Sequence, residues 1–187
     1  PSGGDWGLQR LGALFLEGTK DVTVENCVFT RVDGNAIMLS GFNRLAQIAR
    51  NEVRWNGGTA IVLWGQTDMT SDNGAHGWNA TSGDFPRYCE VSGNLIYEPG
   101  TWEKQSSCSF SALSAQNNYT GNVCFNLPRA GFEFNGASTL FLVSLCATGF
   151  QREEKRLRQT AWAAATKSAA ILYSTPAARR ATSERNA

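Results

Sequence analysis

Glu103-Lys104-Gln105 sets a carboxylate, an ammonium and a primary amide side by side, directly after the aromatic Trp102. A carboxylate and an amine in one turn are side chains that move protons, and a cation near them steadies a developing negative charge. Arg129, in Pro128-Arg129-Ala130, is a candidate for that cation because its guanidinium stays charged at any working pH. Asp68, closing Trp64-Gly65-Gln66-Thr67-Asp68, brings a second carboxylate. Trp64, Trp78 and Trp102 offer flat faces for stacking, and Gln105 can both donate and accept. The same residues have plain structural uses: Glu103, Lys104 and Arg129 as a salt-bridged ladder between turns, the tryptophans as rim packing. His76 is the only histidine and reads as a solvated loop residue. The five cysteines include no Cys-x-x-Cys pair, so no zinc site is indicated.

A repeat is what would bring these groups together. Ala13-Leu14-Phe15-Leu16, Ala36-Ile37-Met38-Leu39, Ala60-Ile61-Val62-Leu63 and Gly131-Phe132-Glu133-Phe134 share the order small, apolar, variable, apolar; Ser109-Phe110-Ser111-Ala112 fits more loosely. Their second positions are 14, 37, 61, 110 and 132, steps of 23, 24, 49 and 22. Asn26, Asn51, Asn94 and Asn122 form a second series, each two residues before an apolar one: Val28, Val53, Ile96 and Cys124. Short strand signals with Gly/Asn turns at this period predict an all-β solenoid of about five rungs. Neighbouring rungs about 4.8 Å apart would place Arg129 one rung on from Glu103 and Lys104.

Strand periodicity points Leu14, Leu16, Ile37, Leu39, Ile61, Leu63, Phe132 and Phe134 inward and Met38 outward. Val22 and Val24 fall one residue off the register of Ile48 and Val91, which a bulge would absorb. The asparagines suit left-handed turn positions and amide stacking between coils, with a row of ligand-binding amides as the other reading. Residues 65–88 interrupt the repeat and explain the step of 49. They carry Asp68, Asp72, His76, Trp78, Asp84 and Arg87, and predict either a binding loop on one face or surface decoration.

After Asn135 the pattern stops. The β-helix is expected over 1–136, followed by an Ala/Arg-rich tail over 137–187 that is helical or disordered. Residues 151–187 hold eight Lys/Arg and three Glu, a local charge of +5 against +1 for the whole chain. The tail lacks interleaved aromatics apart from Trp162, so no nucleic-acid partner is expected. No apolar run approaches the roughly 20 residues of a membrane span. The cysteines (27, 89, 108, 124 and 146) read as small buried residues in the coils rather than a disulfide framework. Asn79-Ala80-Thr81 and Asn118-Tyr119-Thr120 are glycosylation acceptor patterns and favour an extracellular or secretory setting. The chain opens at Pro1 and reads as a fragment or processed product, and a monomer is expected.

The repeat layout resembles right-handed parallel β-helix proteins of the pectin-lyase-like superfamily, over roughly residues 4–135. Gly4-Asp5-Trp6-Gly7, the Trp64–Asp68 motif, Glu103-Lys104-Gln105-Ser106-Ser107 and residues 126–135 are similar to a subgroup known only as right-handed β-helix domain proteins. There the last motif continues into Asp-Gly-Phe-Gly-Gly-Gly and further rungs. Here Gly136-Ala137-Ser138 follows, which predicts a domain cut short on its C-terminal side. The resemblance implies polysaccharide as the partner, laid along an exposed sheet face. A uronate lyase would use Lys104 or Arg129 as base or charge stabiliser, with calcium as a possible cation. A glycoside hydrolase would use Glu103 and Asp68 as its carboxylates. Trp64, Trp78, Trp102 and Gln105 would bind substrate. The sparse acid–base set leaves a non-catalytic recognition or scaffold β-helix as the alternative.

Overall fold

A computed structural model describes residues 9–66, 83–142 and 145–147. Asp68, Asp72, His76, Trp78, the Asn79 acceptor pattern, the 4–7 motif and the tail from 148 lie outside the described residues.

The first rung contains β1 (Gly12–Lys20), β2 (Thr23–Glu25) and β3 (Val28–Thr30); the second, β4 (Asn35–Arg44), β5 (Gln47–Ala49) and β6 (Glu52–Arg54). The third holds β7 (Ile61–Trp64), the two-residue β8 (Pro86–Arg87), β9 (Glu90–Ser92) and β10 (Leu95–Tyr97). The fourth contains β11 (Ser107–Thr120) and β12 (Val123–Phe125), and the last β13 (Ala130–Leu142) and β14 (Leu145–Ala147). Every pairing among them is parallel. One sheet runs β1-β4-β7-β11, with β13 on the far side of β11 and β9, β5 and β2 continuing from its C-terminal end. The other runs β3-β6-β10-β12-β14. The chain is thus an all-β parallel solenoid of about four turns, with no helix among the described residues.

One coil cannot bury its own apolar side, so each rung lends its inward residues to a shared column. Leu14, Ile37 and Ile61 stack, as do Leu16, Leu39 and Leu63. Val24, Ile48, Val91 and Tyr119 form a second column, and Phe29, Val53, Ile96 and Cys124 a third. These columns make the main core. Met38 does face the other way, with Val62 and Phe110, yet all three are buried in a small cluster flanked by Trp64. The one-residue offset expected near Val22 and Val24 is a register shift between Glu17 and Thr19, opposite Gly41 and Phe42 of β4. It brings Val24 level with Ile48 and Val91.

Two alignments differ from expectation by one residue. Ser109, not Phe110, pairs with Ile61 and Phe132, which turns Ser109 and Ser111 inward and Phe110 outward. The small inward serines leave room for the large Tyr119 phenol, whose ring meets Phe132 and Phe134 edge-on at 6.0 and 5.6 Å. Because Ile61 pairs directly with Ser109, the 65–88 interruption lies inside one rung, between β7 and β9, and adds none. In the asparagine series, Cys27 rather than Asn26 occupies the position of Asn51. The left-handed residue at that corner is also not the ladder asparagine but the one before it: Arg50, Gly93 and Gly121 have φ of 55°, 62° and 60°. Asn51, Asn94 and Asn122 serve instead as a buried amide ladder. Asn94 Oδ1 accepts from the Asn51 N–H at 3.0 Å, and Asn122 Oδ1 accepts from the Asn94 N–H at 3.1 Å.

The cysteine expectation is corrected in part. Cys108 and Cys124, on the two sheets of one rung with Cα atoms 6.2 Å apart, are joined by a disulfide. Cys89 is a buried free thiol, as expected, whereas Cys27 is exposed. Cys27 sits at the first asparagine-column position, on the rung that has no described neighbour below it.

Candidate functional site

The Trp102 turn is built by backbone contacts with the preceding rung. Gly100 N–H donates to Gly58 O and Thr101 N–H to Asn56 O, both at 3.0 Å. Gly57 O accepts from Trp102 N–H at 3.3 Å and from Glu103 N–H at 2.8 Å. Gly57 permits this approach: a Cβ there would lie 1.9 Å from Asp33 O and 2.7 Å from Trp102 Cδ1. Gly100 takes a left-handed φ of 67°, which turns the chain into the motif. The result is a pinned turn whose indole is 77% exposed. An exposed tryptophan on a backbone-bonded turn is a pre-ordered apolar face that loses little entropy when a ligand stacks on it.

Beside it, the charged groups are held locally. Lys104 Nζ donates to Gly100 O at 3.0 Å. Glu103 Oε1 accepts from the Gln105 N–H at 3.4 Å. Arg129 immediately precedes Ala130, the Cα partner of Ser107, so it does lie one rung on from the Glu103-Lys104 turn. Its ion pair, however, is with Glu133 at 3.5 Å, and no hydrogen bond or ion pair joins it to Glu103 or Lys104. Arg129 and Glu133 line an open depression of about 530 Å³ with Phe110, Ala130, Phe134 and Asn135.

Trp64, the other described tryptophan candidate, is half-buried. The Arg10 guanidinium covers its ring at 4.4 Å, and Phe110 meets it edge-on at 5.6 Å. Arg10 belongs to a polar network that the motif reading missed. It donates to Ser40 Oγ at 3.3 Å and to the carbonyls of Trp64 and Gly65. Ser40 Oγ donates to Glu17 Oε1 at 3.2 Å, which also accepts from Gln66 Nε2 at 3.4 Å. Asp84 Oδ1 accepts from the Phe42 N–H at 2.6 Å, while the Gln66 N–H donates to Asp84 O at 2.7 Å. Arg44 donates to Gly83 O at 2.7 Å and to Phe85 O. Residues 65–66 and 83–87 therefore meet at one neck. The sequence signal was Gly18 and Gly41 at matching offsets, beside Glu17 and Ser40. A Cβ on Gly41 would lie 2.6 Å from Asp84 Oδ1 and 3.4 Å from Glu17 Oε1.

Those two carboxylate oxygens are thus at most about 6 Å apart. Both accept bonds from the protein itself, which makes them fasteners of the neck. Burial pushes the Arg10 guanidinium down from its usual range, against the opposing pull of Glu17 and Asp84. Among the described residues no three His, Cys, Asp or Glu side chains converge as metal ligands. No helix among the described residues is long and apolar enough to cross a membrane. No protein-family model, no curated protein and no solved structure matches this chain.

Proposed function

We propose that this chain is a β-helix domain of the pectin-lyase-like kind that binds polysaccharide, with Trp102 as the principal stacking face. The observation that carries this reading is the pinned turn: an indole 77% exposed, with Glu103, Lys104 and Gln105 next to it. Sugar rings present an apolar face to an aromatic ring and hydroxyls to carboxylate and amide groups around it. If a sugar ring covers about 80 Å² of the indole, the contact contributes about 2 kcal/mol, or roughly 30-fold in Kd.

Affinity electrophoresis in gels containing acidic or neutral polysaccharides tests the reading. The wild type should be retarded on at least one polymer, and Trp102→Ala should migrate as in a plain gel. Equal retardation of both proteins, or no retardation on any polymer, removes the proposal. Catalysis is the narrower question. Uronate absorbance and new reducing ends, followed with and without calcium, separate elimination from hydrolysis. Activity that survives the Glu103→Ala/Lys104→Ala double variant would take those residues out of the mechanism. A second reading, a scaffold without ligand, is favoured by Lys104, Glu103 and Arg129 each having a partner of its own. It predicts silence in both assays.

A further inference from the structure

We propose that Asn118 is an N-glycosylation site, the acceptor of an oligosaccharide from a lipid diphosphate donor. Asn118-Tyr119-Thr120 has the acceptor pattern, and β11 gives it the right sidedness. Tyr119 points into the core and is fully buried, so its neighbours Asn118 and Thr120 both face outward, and Asn118 is exposed. On the β9 side the outward row at this level consists of Thr23, Gln47, Glu90 and Asn118, all exposed and polar, and on the other side β13 pairs Leu140 with Asn118. The β2, β5 and β9 positions of this row offer a glycan no apolar side chain to displace.

The fold accounts for the other asparagines of this region and not for this one. Asn117 is buried; its Oδ1 accepts from the Cys89 N–H at 2.9 Å and its Nδ2 donates to Pro86 O at 3.3 Å. Asn51, Asn94 and Asn122 spend their amides on the ladder. Asn118 takes part in the strand pairing through its backbone, its N–H reaching Cys89 O at 2.9 Å, and its side-chain amide has no hydrogen-bond partner among the described residues. The second, independent observation is the Cys108–Cys124 disulfide, whose halves lie on either side of Asn118 in sequence. Such bonds form in oxidising compartments, and the secretory pathway is one of them.

In the transfer, Asn118 Nδ2 bonds to C1 of the first sugar and loses a proton. The bond from C1 to the diphosphate oxygen breaks, and the lipid diphosphate leaves. The acceptor is used while the chain is extended, and the outward position then lets the solenoid close around the modified strand.

The test is secretion of the full chain from a eukaryotic host in an Asn79→Gln background, which removes the second acceptor pattern. Intact mass is read before and after peptide:N-glycosidase treatment, with peptide mapping of residue 118. The expected result is an enzyme-sensitive mass increment with Asp found at 118 after treatment. It should be absent from Asn118→Gln and Thr120→Val and retained in Thr120→Ser. Two non-overlapping variants keep the assignment open to refutation if one of them fails to fold. A secreted, folded, disulfide-linked protein with the bare polypeptide mass overturns the proposal. So does an increment that persists in Asn118→Gln.

Discussion

Replacing Asn94 with Ala should cost more than any other single truncation of a polar side chain in the solenoid. Asn94 Nδ2 donates to Ile48 O at 2.8 Å and to Asn122 Oδ1 at 2.9 Å. Its Oδ1 accepts from the Asn51 N–H at 3.0 Å and from Asn51 Nδ2 at 3.1 Å. Alanine deletes all four bonds but strands few groups. Asn51 Nδ2 keeps Val24 O at 2.9 Å, and Asn122 Oδ1 keeps the backbone N–H of residue 94 at 3.1 Å. The backbone N–H of Asn51, itself buried, is left with no acceptor. One orphaned buried donor costs about 1–3 kcal/mol, and the lost bonds whose partners stay engaged add about 0.5 kcal/mol each. The sum is about 2.5–4.5 kcal/mol, a fall in Tm of about 10 °C for a chain of this size. Urea and thermal unfolding followed by circular dichroism measure it. Asn26→Ala is the control, because Asn26 is exposed and off the ladder; its left-handed φ of 55° should limit the loss to about 1 kcal/mol. In a double-mutant cycle, Asn51 and Asn94 should couple by at least about 1 kcal/mol. A loss below about 1 kcal/mol for Asn94→Ala, or strict additivity with Asn51→Ala, would refute the idea that the amide ladder stabilises the coil.

Reducing the Cys108–Cys124 bond, or replacing both residues with serine, should lower stability by about 3 kcal/mol in urea titrations, since the loop closed spans 16 residues. In the native protein an alkylating reagent should label Cys27 much faster than Cys89, whose thiol burial pushes upward. Burial also pushes the Tyr119 phenol from 10 up to about 12; the Ser109 and Ser111 hydroxyls oppose this, though none bonds the Tyr119 oxygen with ordinary geometry. A raised folded value means the stability is fully present below pH 10 and is lost as pH climbs toward about 12, by about 3 kcal/mol. Urea midpoints across that window should fall in the wild type and stay flatter in Tyr119→Phe. Gly57→Ala forces a Cβ against Asp33 O and the Trp102 ring, so it should destabilise by more than about 3 kcal/mol and abolish polymer retardation; Trp102→Ala should change stability by under about 0.5 kcal/mol.

The coil architecture was readable because stacking repeats a chemical demand at every rung, and Ile37, Ile61 and their neighbours answer it with the same residue types. Readability failed where positions joined by no fixed spacing share the work. Ser109 breaks the apolar column because Tyr119, ten residues later, supplies the missing volume, and pattern matching preferred Phe110. Asn26 drew the eye toward a turn because Asn is common in left-handed backbone, yet at that corner Arg50 adopts it despite its bulk. The Cys108–Cys124 link depends on two sheets meeting within one rung, a distance no spacing rule reports. The Trp102 turn was found as a motif, but the reason for its order, Gly57 beneath it, lies 45 residues away in a different rung. The Arg10–Glu17–Asp84 network joins four stretches, around residues 10–17, 40–44, 64–66 and 83–87, and none of them is a motif by itself.

The neck at Gln66 and Asp84 separates two kinds of sequence change. Below it, a residue inserted within a strand turns the following inward side chains outward unless a bulge like the one between Glu17 and Thr19 absorbs it, so drift in the strands is limited. Above it, the β7 and β9 strands are already fixed by their own partners, and the ends of the excursion are already together. A change in the number of residues between Gln66 and Gly83 therefore leaves the pairing of β7 and β9 with β11 in place.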